Sequence, residues 1–289
     1  MIRSVLDIKP LKNERIYAVG DVHGCYKELL ALEQKIRESV SRSKFSKYRI
    51  VSVGDLCDRG PDANYVMEHF VKGKAAGTHQ LILGNHEIFF MLAFIGWRPD
   101  LIKKAKISFS WFHHSFATLF PQLQLGLDPW RANGGDIVFK SYNASIDDVT
   151  TWDKVPATHL QLLFEAPLII RTPKAIISHA LIHEGDVETL VSCDQNAMSK
   201  DPVLEDGGFQ SVYRSLWERN RPEARIDSVR RHISGHTPMK AVQRDLKLGV
   251  VQIDTGAVYG QKLSALELRS FRVLSVPSSY NCKTVVKAK

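Results

Sequence analysis

Runs of apolar residues that each end in glycine and a polar cluster recur along the first third of the chain. The first covers residues 15–19, the second residues 49–53 and the third residues 80–83. Between the first two runs, apolar side chains recur at helical spacing over residues 26–40. Strands that alternate with helices in this way are typical of βαβ units, and they predict an α/β protein with parallel strands in its first third.

Short apolar runs continue in the second half of the chain, where they follow one another more directly. They cover residues 168–170, 174–178, 232–234, 250–253 and 263–268. Direct connections of this kind favour antiparallel pairing, so we expect both pairing types in the molecule. Residues 91–132 are instead helical and aromatic in pattern, and they predict a helical cap inserted into a single domain of residues 1–289. The polar, basic residues 277–289 predict a flexible tail.

Composition and charge narrow the class of protein. Hydrophobic residues make up 44 % of the chain and charged residues 24 %, which is ordinary for a folded domain and excludes a disordered or coiled-coil chain. The 39 Lys and Arg residues outnumber the 31 Asp and Glu residues, and the net charge of +8 favours anionic partners such as phosphate esters, nucleotides or RNA.

The location of the protein is predicted from its cysteines and apolar segments. The four cysteines are widely spaced, which favours a reducing compartment, and the first 20 residues lack a signal-peptide pattern. The longest apolar run, residues 88–97, is about half of a membrane span. We therefore expect a cytoplasmic protein without a membrane partner.

Side chains of metal-ligand type follow five of the predicted strands. They are Asp21 and His23 in GDVHG, Asp55 in GDLCDRG, Asn85 in GNHE, His179 in SHA and His236 in GHTP. Because the carboxyl ends of the strands in an α/β sheet share one edge, these residues can converge. Carboxylates, imidazoles and a carboxamide suit Mn²⁺, Fe, Zn²⁺ or Mg²⁺. A carboxylate from the middle strand can bridge two ions about 3.5–4 Å apart, an arrangement suited to phosphoryl transfer.

Neighbouring residues could supply the other requirements of phosphoester hydrolysis. Arg59 lies four residues after Asp55 and, with Arg219 as a second candidate, could hold phosphate oxygens. His86 could protonate the leaving group, with Asp58 holding its other ring nitrogen.

The order GDVHG, GDxxDRG, GNHE, a His after an apolar strand, and GHTP resembles the phosphoprotein phosphatase family of metallophosphoesterases, in particular the bacterial and phage-lambda-type Ser/Thr phosphatases. The resemblance covers roughly residues 15–268. It implies a four-layer αββα sandwich of two mixed sheets. It also implies one metal ion on Asp21, His23 and Asp55, and a second on Asp55, Asn85, His179 and His236. His86 and Asp58 match the family's acid pair, and Arg59 and Arg219 match its phosphate-binding arginines.

The function expected from these features is hydrolysis of phosphomonoesters by a hydroxide bound to two divalent ions, with a phosphorylated protein as substrate. Mn²⁺ is the expected metal, with Fe or Zn²⁺ as alternatives. A second hypothesis is a dinucleoside tetraphosphate or RNA-end pyrophosphohydrolase. The segment LILGNH resembles the tetraphosphate hydrolases of the same superfamily, and Leu83 stands where some lambda-type members have an arginine. Those hydrolases tend to have the motifs ARG and GNHD, whereas this chain has Asp58 and Glu87 at the corresponding positions. Ala180 stands where the family commonly has a glycine after the histidine that matches His179.

A third hypothesis, a basic RNA-binding scaffold without activity, rests on the charge alone. Nucleic acid is therefore an open but less favoured partner.

Overall fold

Two mixed β-sheets form the middle of the molecule in the computed structural model, which describes residues 3–113, 127–196 and 208–283. The strands are β1 Val5–Asp7, β2 Glu14–Val19, β3 Lys47–Ser52, β4 His79–Leu81, β5 Ile169–Arg171, β6 Ala175–Ser178, β7 Arg231–Ser234, β8 Gln243–Asp245, β9 Val250–Gln252, β10 Lys262–Glu267 and β11 Val273–Pro277. One sheet has the order β11-β10-β2-β3-β4, and the other has the order β1-β5-β6-β7-β9-β8.

Each sheet contains three adjacent parallel strands. In the five-stranded sheet β2, β3 and β4 are parallel, β10 pairs antiparallel with β2, and β11 pairs antiparallel with β10. In the six-stranded sheet β6, β7 and β9 are parallel, and β8 pairs antiparallel with β9. Strand β5 pairs antiparallel with β6 and parallel with β1. The second half of the chain therefore combines the expected antiparallel pairs with a parallel core. Its parallel strands are separated by long connections that contain helices and loops.

The two sheets pack face to face through alternating aliphatic side chains. Ile16 and Ala18 of β2 belong to the same buried cluster as Ile177 of β6 and Ile233 of β7. Because successive side chains of a strand point to opposite faces, the other residues of these strands face outward and need a second layer to cover them. Tyr17 of β2, for example, is buried in a different cluster, together with residues from helices.

Helices cover the outer faces. They are α1 Tyr26–Ser41, α2 Ala63–Ala75, α3 Asn85–Trp97, α4 Pro99–Lys104, α5 Asp128–Ala132, α6 Gly135–Ser141, α7 Ala157–Phe164, α8 Asp186–Asn196 and α9 Gly208–Trp217, with a 3₁₀ turn at Val149–Lys154. Helices α1 and α2 contact the five-stranded sheet, and α8 contacts β1 of the six-stranded sheet. The structure thus confirms the expected α/β sandwich of two mixed sheets flanked by helices.

The segment interpreted as a cap contains the end of α3, α4 and α5, and its residues 114–126 lie outside the described residues. Trp130 of α5 packs against Phe90 of α3 and Phe139 of α6, with ring centroids 5.3 Å apart in both cases. In the segment interpreted as a tail, Ser279 donates a hydrogen bond to Glu28, and residues 284–289 lie outside the described residues. The cap and the tail remain predictions.

No helix among the described residues is both long enough and apolar enough to span a bilayer.

Candidate metal and phosphate site

The carboxyl ends of the parallel strands in both sheets open onto one site. Loops after β2 and β3 carry Asp21, His23 and Asp55, and loops after β6 and β7 carry His179 and His236, whereas Asn85 follows β4 as the first residue of α3. Asp55, which follows the middle of the three parallel strands, lies between two groups of side chains. Its Oδ2 is 3.4 Å from Nε2 of His23, and its Oδ1 is 3.5 Å from Nε2 of His179. The two oxygens of one carboxylate therefore face different histidines.

His179, His236 and Asn85 form the group on the Oδ1 side. Nδ1 of His179 lies 2.8 Å from the carbonyl oxygen of Val53, so this nitrogen carries the proton and Nε2 carries a lone pair. Nε2 of His179 is 2.9 Å from Oδ1 of Asn85 and 3.1 Å from Nδ1 of His236. Burial lowers the pKa of each imidazole to about 3, so both are neutral at pH 7.

Nε2 of His179, Oδ1 of Asn85 and Nδ1 of His236 share at most one proton. All three are atoms of the type that binds metal ions. A divalent cation satisfies such an arrangement of lone pairs better than a shared proton does. The donor set on this side therefore fits a metal ion.

His23 and Asp21 lie on the other side of Asp55. Nδ1 of His23 contacts the carbonyl oxygen of Cys57 at 2.8 Å, which leaves the lone pair of Nε2 directed toward Asp55. Asp21 accepts a hydrogen bond from the backbone N–H of His236 at 3.0 Å. Burial, together with the nearby carboxylates of Asp254 and Asp55, raises the pKa of Asp21 well above its ordinary value. Buried carboxylates that repel one another are a site where a cation is strongly favoured.

His86 and Asp58 form the pair expected from the sequence. Nδ1 of His86 lies 2.5 Å from Oδ2 of Asp58, and its Nε2 is 3.8 Å from Oδ2 of Asp55. His86, His23 and Asp55 place ligand atoms within 4.8 Å of one another, as do Asp55, His179 and His236. Burial lowers the pKa of His86 to about 4, although the charge of Asp55 opposes this shift.

Two arginines reach these groups from the solvent side. Nη1 of Arg59 is 2.6 Å from Nε2 of His23, and its Nη2 is 2.8 Å from Nε2 of His86. Arg219, in the loop after α9, donates from Nε to Nε2 of His236 at 3.3 Å. The structure therefore brings all ten residues singled out by the sequence to one site. The two arginines come from loops that are far apart in the sequence.

Trp130 supports the His86–Asp58 pair and was not found by sequence reasoning. Its indole N–H lies 2.9 Å from both carboxylate oxygens of Asp58. Burial raises the pKa of Asp58 well above its ordinary value, and the hydrogen bond from Trp130 opposes this rise. No motif links this tryptophan to a residue 72 positions earlier in the chain, so only the fold reveals the contact.

Glu87, the last residue of the GNHE motif, organises the loops rather than facing the centre of the site. Its carboxylate accepts hydrogen bonds from the backbone N–H groups of Asp55, Leu56 and Gly84, at 2.7, 2.8 and 2.9 Å. Burial and the charge of Asp55 raise the pKa of Glu87 to about 8, although these hydrogen bonds oppose the rise. The position of Glu87 directly after His86 in the GNHE motif was the sequence signal that could have identified Glu87 as a residue that holds the loops of the site.

The backbone around the site is held in an uncommon conformation. His23, Asp55, Asp58, Arg59 and His236 all have positive φ, between 43° and 68°. Residues other than glycine rarely adopt this region, and the packed surroundings must enforce it.

Glycines are required where the loops approach the carboxylates. A Cβ on Gly84 would lie 2.2 Å from Oδ1 of Asp55, and one on Gly235 would lie 2.0 Å from Oδ1 of Asp21. Neither position can hold a side chain without displacing a carboxylate of the site.

Comparison with known proteins identifies the family of this chain. A family model described as calcineurin-like phosphoesterase matches residues 14–240. The chain is 28 % identical over 279 residues to bis(5′-nucleosyl)-tetraphosphatase PrpE [asymmetrical] of Halalkalibacterium halodurans, a match that covers 90 % of this chain and 92 % of the relative. It is 24 % identical to the protein of the same name from Bacillus subtilis, with coverage of 90 % and 93 %.

A solved structure shows the same fold. The cold-active protein-tyrosine phosphatase of a Shewanella species matches with a TM-score of 0.55 and 18 % identity, over 95 % of this chain and 80 % of that chain. The region matched by the family model spans most of the sequence and includes every site residue from Asp21 to His236. The chain therefore belongs to the calcineurin-like phosphoesterase family and is a metal-dependent phosphoesterase.

Proposed function

We propose that this protein hydrolyses bis(5′-nucleosyl) tetraphosphates at an asymmetrical position, releasing a nucleoside triphosphate and a nucleoside monophosphate. The observation that carries this proposal is the similarity to tetraphosphatases named as asymmetrical, which extends over about nine-tenths of both chains. The alternative hypothesis from the sequence thus has better support than the Ser/Thr phosphatase hypothesis. The similarity to a protein phosphatase structure, at 18 % identity, supports the fold alone.

The charge of the chain agrees with this class of substrate. A dinucleoside tetraphosphate carries several negative charges along its phosphate chain, and the net charge of +8 favours its approach. Leu83 is buried before the GNHE motif, so it offers no cationic contact where some lambda-type phosphatases have an arginine. The contacts to phosphate would instead come from Arg59 and Arg219, which lie at the two groups of metal-ligand side chains.

We assign the metal ligands as the resemblance implies. Asp21, His23 and Asp55 would hold one ion, and Asp55 would share the second with Asn85, His179 and His236. Ions bound there would supply charge neutralisation of the phosphate and a water of lowered pKa. Mn²⁺ is the expected metal, with Fe or Zn²⁺ as alternatives, because the oxygen and imidazole donors suit each of them.

The residues around these ligands would orient the substrate and move a proton. The guanidinium of Arg59 can bind two phosphate oxygens as a fork, and Arg219 can hold a neighbouring phosphate. An anionic phosphate chain beside Nε2 of His86 would raise the pKa of that imidazole from about 4, so that it can carry a proton to the leaving oxygen. Asp58 would hold the other ring nitrogen and stabilise the charged imidazole.

The experiment that tests the proposal compares substrates on enzyme reconstituted with Mn²⁺. Rates are measured for diadenosine tetraphosphate, a phosphoserine peptide and 4-nitrophenyl phosphate, and the nucleotide products are separated by chromatography. We expect the tetraphosphate to have the highest kcat/KM and to yield ATP and AMP in equal amounts. Preference for the phosphopeptide would overturn the proposal, and formation of ADP alone would overturn its asymmetrical part. The Asp55→Asn variant controls for contaminating hydrolases.

A further inference from the structure

A second cluster of potential ligands lies away from the site described above. It consists of Glu33 on α1, His69 on α2 and His79 at the start of β4, whose ligand atoms lie within 4.8 Å of one another. His79 is at the amino end of its strand, whereas the phosphoesterase site is built at the carboxyl ends. The cluster therefore shares no residue with the proposed catalytic site.

The two oxygens of Glu33 have different surroundings. Oε1 accepts hydrogen bonds from the hydroxyl of Tyr48 at 2.6 Å and from Nη2 of Arg37 at 2.9 Å. Oε2 faces the two imidazoles, at 2.6 Å from Nε2 of His69 and 3.9 Å from Nε2 of His79. One oxygen thus anchors the carboxylate, and the other is directed into the cluster.

His79 presents a buried nitrogen without a hydrogen-bond partner. Oγ1 of Thr78 donates to the carbonyl oxygen of Gly73, so at 2.9 Å from Nδ1 of His79 it acts as the acceptor of that ring N–H. Nε2 then carries a lone pair. It is fully buried and has no hydrogen-bond partner among the described residues. The side chain of His79 is only 3 % exposed, and its Nε2 lies 3.9 Å from Oε2 of Glu33, itself an acceptor.

The ring of His79 is closely packed against α2. A Cβ on Gly73 would lie 2.0 Å from Nδ1 of the ring, so α2 approaches it as closely as glycine allows. Phe70 packs against the ring at an interplanar angle of 80°, with the centroids 5.2 Å apart. A buried acceptor held against another acceptor costs free energy unless a cation lies between them.

We propose that Glu33, His69 and His79 form a second metal site, separate from the phosphoesterase centre, which binds a zinc-class divalent ion through Oε2 and two imidazole Nε2 atoms. Two imidazoles and one carboxylate are a ligand set that Zn²⁺ accepts with a fourth position open to water. Binding would need the lone pair of Nε2 of His69, so the proton of this neutral ring would move from Nε2 to Nδ1, and the ion would also accept the lone pair of His79.

The surroundings of the cluster are compatible with this assignment. Burial lowers the pKa of His79 to about 4, so its imidazole is in the neutral form that binds metal. Burial would raise the pKa of Glu33, but hydrogen bonds from His69, Tyr48 and Arg37 lower it to about 2, so the carboxylate is charged. The cation of Arg37 opposes a metal ion, but its side chain is 55 % exposed and is well solvated.

The test measures zinc content in the intact protein and in matched variants. Wild type, His79→Gln and His69→Gln are dialysed to equilibrium against buffered Zn²⁺, and zinc per chain is measured by plasma mass spectrometry. His159→Gln is the control, because His159 is equally buried and hydrogen-bonded to a glutamate, Glu68, but belongs to no group of three potential ligands among the described residues. Hydrolysis of 4-nitrophenyl phosphate reports whether the catalytic centre remains intact.

We expect His79→Gln and His69→Gln each to bind one equivalent of zinc less than wild type, while hydrolysis is retained. The His159→Gln control should keep the full zinc content. Equal zinc content in wild type and His69→Gln, or the same loss in His159→Gln, would overturn the proposal. Because the His69 side chain is 17 % exposed, its variant gives the decision if His79→Gln does not fold.

Discussion

The contact between Trp130 and Asp58 links a helix of the segment interpreted as a cap to the proposed acid pair, and it leads to a specific prediction. Replacing Trp130 with Phe keeps an aromatic ring between Phe90 and Phe139 but removes the indole N–H that Asp58 accepts at 2.9 Å. Without this donor the pKa of Asp58, already raised by burial, rises further. A protonated Asp58 can no longer stabilise a charged His86, so proton transfer to the leaving group becomes slower.

The size of the effect follows from the type of hydrogen bond. A hydrogen bond to a charged group contributes about 1.5–3 kcal/mol. If the whole contribution is made in the transition state, its loss slows kcat by about 10- to 150-fold, since each 1.36 kcal/mol corresponds to a factor of ten. The smaller ring also leaves a small cavity, and we expect a further loss of about 1–3 kcal/mol in the free energy of unfolding.

Trp152→Phe is the matched control. Trp152 is buried in the same aromatic cluster, stacks on Phe139 at 4.6 Å and donates its indole N–H to the carbonyl oxygen of Ser145 at 2.8 Å. The Trp152→Phe variant therefore also loses one hydrogen bond and some packing, but the change lies away from the His86–Asp58 pair. Urea unfolding should give similar losses of stability for both variants.

The assay measures kcat on substrates with good and poor leaving groups, at saturating Mn²⁺ and with folded protein in both cases. We expect Trp130→Phe to lose more rate on phenyl phosphate than on 4-nitrophenyl phosphate, and Trp152→Phe to lose little on either. Equal rate losses in the two variants would refute the positioning role, because the effect would then come from stability or packing alone. A uniform loss across leaving groups would also refute it.

Three further predictions concern the ligands and the buried histidines. Asp55→Asn should abolish turnover and lower the metal content measured by plasma mass spectrometry, because both ions would share this carboxylate in the proposed ligand set. His86→Asn should retain the metal and lose kcat chiefly on substrates with poor leaving groups. His232→Gln should flatten the pH dependence of the free energy of unfolding. Burial lowers the pKa of His232 from 6.5 to about 4. In metal-free wild type, this group therefore lowers the free energy of unfolding by about 3 kcal/mol as the pH falls from 6.5 to 4.

Each of these predictions has a clear contrary outcome. Normal turnover by purified Asp55→Asn would contradict the bridging role, and loss of metal from His86→Asn would make that histidine a ligand instead. The sign for His232 follows from linkage: the unfolded chain binds the proton more tightly, so the stability is present above pH 6.5 and is lost below it. Unfolding curves for His232→Gln that fall as steeply as those of wild type between these pH values would contradict the assignment.

The sequence by itself determined the parallel strands of the first third of the chain and the motifs at their ends. Buried parallel strands are continuous apolar runs, and β2, β3 and β4 were predicted within a few residues of their bounds. The edge strand β8, which is Gln243–Asp245, lacks this signal because it is polar throughout. Its strand geometry comes from pairing with β9, a contact that no local pattern encodes.

The ligand motifs were readable because each is a short loop in which turn, glycine and ligand are adjacent in sequence. Which of their atoms meet was decided by the tertiary structure alone. The orientation of His179 depends on the carbonyl oxygen of Val53, and the environment of Asp58 depends on Trp130, both far away in the chain. The Glu33, His69 and His79 cluster has no motif at all, since its members come from two helices and a strand. Local sequence specifies elements and turns, whereas burial and lone-pair direction arise only when distant segments pack.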